Sequence, residues 1–211
     1  MPNDQLIVER LKCQNDTAIG HITLNSPETL NSLTLNMVNE ISDLLDQWEL
    51  DPQIKMILIS GAGEKAFCAG GDIRALYESM CSPEGPIFAE TFFESEYRLD
   101  YKIHNFPKPI ISILDGIVMG GGAGLMFAST YRIATERTKF AMPEIGVGLF
   151  PDVGFTSVIK DLPEGLGLYI MLTASPLNAS DLRFCNLVNG CLSSAKIEDF
   201  LMDVVELSWH D

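Results

Sequence analysis

Three stretches place unusual chemistry on backbone amides and carboxylates: Lys65-Ala66-Phe67-Cys68-Ala69-Gly70-Gly71-Asp72, Met119-Gly120-Gly121-Gly122-Ala123-Gly124, and Met142-Pro143-Glu144 followed by Phe150-Pro151-Asp152. A glycine turn that opens a helix leaves backbone N–H groups without intrahelical acceptors, aimed at whatever docks there. Two such turns can grip one developing negative oxygen, so the pattern reads as an oxyanion hole facing two acids, Glu144 and Asp152. That is equipment for acyl chemistry. Asp72 has the position of a helix N-cap, fixing the turn whose neighbouring amide, at Gly71, faces the ligand. Glycine costs about 1 kcal/mol relative to alanine inside a helix. Keeping three in a row at Gly120–Gly122 is explained by ligand approach to exposed backbone or, more plainly, by close packing of a helix on a sheet.

Other motifs compete less well. Gly61-Ala62-Gly63-Glu64-Lys65-Ala66 matches the G-x-G-x-x-A nucleotide fingerprint. That fold needs the loop to open a helix directly and an acidic residue about 20 positions on. Here a second glycine turn and Met80-Cys81-Ser82-Pro83 fill the interval. The sequence has neither G-x-x-x-x-G-K-[ST] nor G-x-S-x-G, which removes support for nucleotide hydrolysis and for a serine hydrolase. His21 falls in a strand pattern, His104 near a helix end and His210 at the C-terminus. Acid–base work is therefore left to carboxylates. Cys13, Cys68, Cys81, Cys185 and Cys191 form no C-x-x-C pair or zinc cluster and read as reduced, buried thiols, with no metal or redox cofactor expected.

The elements that must position these groups alternate. With 211 residues, 46% of them hydrophobic, the chain suits one domain of ordinary core size. A formal charge of −15 argues against nucleic acid as a partner. No apolar run approaches the roughly 20 residues of a membrane helix, and Met1–Gln5 lack a basic-then-apolar signal pattern, so a cytoplasmic or organelle-matrix protein is expected. Thr17–Leu24 reads as a strand. Met37, Val38, Ile41, Leu44, Leu45 and Trp48 recur at helical spacing behind Thr34 as N-cap. Ile54–Ile59 and Ile110–Leu114 read as buried strands, with a helix from Asp72 and a longer one around Phe92–His104 between them. Beyond Gly120 the pattern gives a helix over Gly124–Ser129, a strand at Tyr131–Thr135 and helices near Thr156, Gly165 and Ser180. Strands alternating with helices imply parallel pairing. In the last segment Ile197, Phe200, Leu201, Val204 and Val205 form an apolar stripe that must bury one face, against a partner inside this chain or outside it.

Taken together, Leu30-Asn31-Ser32-Leu33, Ala66–Ile73, Gly116–Gly122 and Met142-Pro143-Glu144-Ile145-Gly146 resemble the crotonase, or enoyl-CoA hydratase/isomerase, superfamily over residues 6–190. The resemblance implies an α/β fold with a crotonase-like core of stacked ββα units and surrounding helices. It divides the chain into a core domain, 1–190, and a C-terminal amphipathic helix, 191–211. It also implies an acyl-CoA substrate, with CoA entering as part of that substrate and no separate cofactor, and an oxyanion hole from the N–H groups of Gly71 and Gly121.

Hydratases of the family carry a glutamate where this chain has Gly124. Glu144-Ile145-Gly146-Val147-Gly148-Leu149-Phe150-Pro151-Asp152-Val153-Gly154 and Phe92–Tyr97 resemble instead the 3-hydroxyisobutyryl-CoA hydrolase branch, which serves valine catabolism. By that resemblance Glu144 is the principal catalytic carboxylate, Asp152 its partner, and Glu96 and Gly121 line the substrate site. Read alone, Glu96 equally suits a solvated charge on a long helix. Lys65, Arg74, Lys102 and Lys108 are candidates for the CoA phosphates on charge alone. Hydration or isomerisation of an enoyl thioester, and silent acyl-CoA binding, are the alternatives. Members of the hydrolase branch are longer than this chain, and their C-terminal helices are expected to cover the site or build contacts in a homo-oligomer.

Overall fold

The computed structural model describes residues 5–207 and 209, so His210 lies outside the described residues. A hairpin, β1 (Leu6–Lys12) and β2 (Ala18–Leu24), leads through α1 (Leu35–Leu50) to β3 (Ile54–Gly61). From there the chain repeats one unit three times, a longer strand, a three-residue strand and then helix. The first unit is β3, β4 (Ala66–Cys68) and α2 (Ile73–Ser79) continued by α3 (Gly85–His104). The second is β5 (Ile110–Leu114), β6 (Ile117–Met119) and α4 (Gly121–Ala128). The third is β7 (Tyr131–Thr135), β8 (Lys139–Ala141) and α5 (Phe155–Val158). After them come α6 (Leu166–Thr173), β9 (Leu177–Asn178), α7 (Ala179–Phe184), β10 (Gly190–Leu192) and α8 (Ile197–Glu206). These are stacked ββα units.

The longer strands form one sheet in the order β1-β2-β3-β5-β7-β10, and the three-residue strands form a second, β4-β6-β8-β9. Pairing is parallel from β2 to β10 and from β4 to β8, whereas the edge strands β1 and β9 run antiparallel. The parallel pairing implied by the alternation thus holds for β2, β3, β5 and β7, and the antiparallel pairs involve only β1 and β9, which the pattern did not show. Most of β1 is exposed beyond Leu6, which leaves its strand pattern without an apolar face to read. The loop at Gly61–Ala66 passes into β4 rather than a helix, which disposes of the dinucleotide reading.

The small sheet decides where the chemistry goes. Cys68 pairs with Val118 and Val118 with Phe140, so β4, β6 and β8 end nearly level. Level parallel strands release their chains on one side, the usual ligand edge of such a sheet. Gly70-Gly71 follows β4, Gly120-Gly121 follows β6 and Glu144 follows β8, so three distant motifs meet at that edge. Beneath them Phe67, Phe92, Phe140 and Phe155 are fully buried, and Phe127 meets Phe140 edge-on at 5.6 Å. α1 covers the large sheet with Met37, Val38, Ile41, Leu45 and Trp48, and Thr34 accepts its cap hydrogen bond from Met37 N–H at 3.2 Å.

The packing supplies the partner of the last helix from within the chain. Val204 lies with Ile19, Met56 and Leu58 in a small cluster on the large sheet, flanked by Phe200, Leu201 and Val205. The stripe covers residues that β2 and β3 present within the same chain.

Candidate active site

Each glycine turn is built to present an amide. Leu33 N–H donates to the Gly70 carbonyl at 2.8 Å, and the Leu33 carbonyl accepts from Asp72 N–H at 2.9 Å. Leu33 thus ties the peptide groups on both sides of Gly71 and leaves the Gly71 N–H directed the other way. Asp72 caps α2 as its position foretells, accepting from Ala75 N–H at 3.0 Å. Asn31 braces the same loop from below, donating to the Ala62 and Ala66 carbonyls at 3.0 and 2.8 Å and accepting from Ser26 N–H at 2.9 Å. Gly120 precedes α4 at φ 49° and ψ −125°, a conformation open to glycine. Gly121 is the first residue of that helix, so its N–H is one of the four that the helix cannot satisfy.

The acids approach this edge from separate elements. A cavity of about 120 Å³ is lined by Gly71, Gly121, Phe92, Glu96, Glu144 and Asp152 among others. Glu144 opens the short turn after β8, is only 7% exposed, and has Oε2 buried without a hydrogen-bond partner. Its other oxygen lies 3.4 Å from where a side chain on Gly120 would begin. Burial first, then the charge of Asp152, pushes the Glu144 carboxyl up to about 7 against a backbone hydrogen bond that lowers it. Glu96, on α3, is 3% exposed and therefore no solvated surface charge. Burial first, then Asp152 and Glu144, lifts it to about 8. Asp152 is held by the Tyr97 hydroxyl, which donates to its Oδ2.

All five residues singled out by the motifs, Gly71, Gly121, Glu96, Glu144 and Asp152, thus surround one cavity. Two of the phosphate candidates serve elsewhere. Lys102 donates to Ser42 and Asp46, and Lys108 caps the C-terminal end of α1 through the Trp48 and Asp51 carbonyls. Lys65 and Arg74 remain exposed beside the glycine turn. The thiols are not uniformly buried either, since Cys81 and Cys191 are exposed. Sequence reasoning missed Tyr97 and Asp100. Asp100 stands four residues after Glu96 on α3, a spacing common to any pair of acids on one helix face, and only its approach to Gly124 sets it apart.

A model of the enoyl-CoA hydratase/isomerase family matches residues 19–211. The chain belongs to that family. Among curated relatives of this family member, the mitochondrial 3-hydroxyisobutyryl-CoA hydrolase of Danio rerio is 45% identical over 188 residues, covering 89% of this chain and 49% of the relative. The Homo sapiens protein of the same name is 39% identical over 204 residues, covering 97% of this chain and 51% of the relative. The chain spans about half the length of the curated relatives it matches. Among solved structures, a carnitinyl-CoA dehydratase from Mycobacterium thermoresistibile superposes with a TM-score of 0.88 at 38% identity, covering 96% of this chain and 58% of that one. An enoyl-CoA hydratase from Rhodobacter sphaeroides gives 0.87 at 33%, covering 99% and 60%.

Proposed function

We propose that this family member hydrolyses an acyl-CoA thioester, with 3-hydroxyisobutyryl-CoA as substrate, a step of valine catabolism. The observation that carries the reading is Glu144, a buried carboxylate with an unpaired oxygen beside two glycine turns that present free amides. The curated relatives named as that hydrolase support it, as does Gly124, which takes away one of the two acids a hydratase uses.

The thioester carbonyl oxygen sits between the Gly71 and Gly121 N–H groups, which bind it more tightly as it becomes an oxyanion; one such donor is typically worth about 2.7–4 kcal/mol. Glu144 in its carboxylate form takes a proton from water, and the resulting hydroxide attacks the carbonyl carbon. Collapse of the tetrahedral intermediate breaks the C–S bond, and the thiolate leaves as CoA. A carboxyl near 7 is ionised often enough at neutral pH, yet basic enough, for this transfer. Asp152, held on one oxygen by Tyr97, keeps the other for the substrate. The scheme uses no cofactor beyond the CoA that the substrate carries. The compartment proposed is the mitochondrial matrix, or the cytoplasm in a bacterium.

Thiol release from 3-hydroxyisobutyryl-CoA tests the proposal. The wild-type protein is expected to release CoA, and Glu144→Gln to abolish release while melting within a few degrees of wild type. Loss of an enoyl thioester chromophore without thiol would assign hydration instead, and tight binding without turnover would assign a silent acyl-CoA binder.

A further inference from the structure

Asp100 is a buried acid that the hydrolysis scheme leaves idle. Both of its carboxylate oxygens are sealed from solvent and have no hydrogen-bond partner among the described residues. They lie over α4, 2.6 and 2.9 Å from where a side chain on Gly124 would begin, with Val153 against the same spot. The space that a side chain on Gly124 would take is thus filled by a carboxyl delivered from α3. A second cavity, of about 500 Å³, begins here and is lined by Tyr97, Asp100, His104, Phe127, Asp152 and Val153 among others. It shares Asp152 with the cavity at the glycine turns.

The charged and titratable neighbours of Asp100 can be named element by element. Its own helix contributes Glu96, Tyr97 and His104, the 150–154 loop contributes Asp152, and Cys68 comes from β4. Gly124, Phe127 and Ala128, from α4, carry no charge. Among the described residues His104 makes no ion pair with Asp100. Burial, then Glu96 and Asp152, raises the Asp100 carboxyl well above its ordinary range, which favours its uncharged form. An uncharged carboxyl has one O–H to donate. Among the described residues none accepts from it, and a buried donor left unpaired is destabilising.

We propose that Asp100 is a specificity-determining residue of the acyl site, acting with Asp152 to hold a hydroxyl on the acyl chain. The Asp100 O–H donates to the hydroxyl oxygen, and the Asp152 oxygen not used by Tyr97 accepts the hydroxyl proton. A hydroxyl satisfies both because it donates and accepts at one atom. An acyl chain lacking the group leaves two polar side chains unpaired, the situation in which enzymes discriminate most strongly.

This inference rests on the hydrolase reading for its substrate class. The test is the ratio of kcat/KM for 3-hydroxyisobutyryl-CoA to that for isobutyryl-CoA in wild type, Asp100→Asn and Asp100→Leu, with Asp100→Ala in place of the leucine variant should it not fold. Wild type is expected to prefer the hydroxylated substrate. Asp100→Leu should shrink that preference on the order of tenfold. Asp100→Asn, whose amide still donates, should keep it within about threefold. A ratio unchanged in Asp100→Leu, lost equally in Asp100→Asn, or absent in wild type overturns the proposal. Calorimetric binding of the matching CoA thioethers gives the same ratio without chemistry. A wild type that cleaves neither thioester but binds the hydroxylated thioether through Asp100 sinks the hydrolase reading alone, and one that binds neither thioether sinks both.

Discussion

Asn31 contributes to the site without touching it. Its amide spans the Ala62 and Ala66 carbonyls while its own oxygen takes Ser26 N–H, so one buried side chain fixes the strand that delivers Gly70 and Gly71. Asn31→Ala strands one amide and two carbonyls, and should lower unfolding free energy by about 2–4 kcal/mol in urea titrations. A loss below half of the lower figure would mean that water replaces the amide. For Glu144 the relevant quantity is charge state. A base must be ionised to work, so thiol release should rise with pH and pass half its maximum at about pH 7, the value to which burial lifts this carboxyl. A rate already level at pH 5 would remove Glu144 from the role of base. Both residues were legible in the sequence, since each belongs to a motif. Asp100 was not, because its meaning depends on Gly124, which reaches it from another helix.

At the scale of elements, α3 and α4 meet through Glu96 and the glycine run. A side chain added at Gly121 would collide with Glu96 Oε1 and lie 3.3 Å from Leu33 Cδ1. Gly121→Ala should therefore reduce thiol release by about a hundredfold or more by disturbing the oxyanion turn. It should also lower the melting temperature, and Glu96→Ala in the same chain should recover part of that stability. Melts of the two single variants and the double variant would show the coupling as about 0.5–3 kcal/mol of non-additivity. Strict additivity would mean that the helices part without involving Glu96. The long elements could be read in advance, because α1 shows its apolar face five times over and β3 and β5 are nearly continuous apolar runs. Strands β4, β6 and β8 could not. Three residues are too few for a period of two to show itself, yet these strands bring the motifs together. The α8 stripe was read correctly as a face needing cover, but a surface pattern does not say which sheet supplies it.

Across the whole molecule the cost of the site appears as a pH dependence of stability. Glu96, Asp100 and Glu144 all bind their protons more tightly folded than unfolded, with burial as the leading cause in each case. For a carboxyl raised from 4.5 to about 8, as Glu96 is, the folded chain holds more bound protons than the unfolded one between those limits. The slope of unfolding free energy with pH is therefore negative, and stability falls as pH rises through that window. Two other influences act in the same range. His21, lowered mainly by burial, favours the fold as pH rises towards its unfolded value, and the net charge of −15 works against it. Both are nearly the same in a Glu96→Gln variant, so the difference between the two proteins reports Glu96 together with the part of the Asp100 shift that its charge causes. Chemical unfolding at pH 5 and pH 8.5 should show wild type losing more stability than Glu96→Gln over that interval, by about a few kcal/mol. Parallel losses would mean that Glu96 stays ionised and solvated in the folded chain. The burial that lifts these carboxyls, on which the readings of Glu144 as base and of Asp100 as donor both draw, would then be wrong.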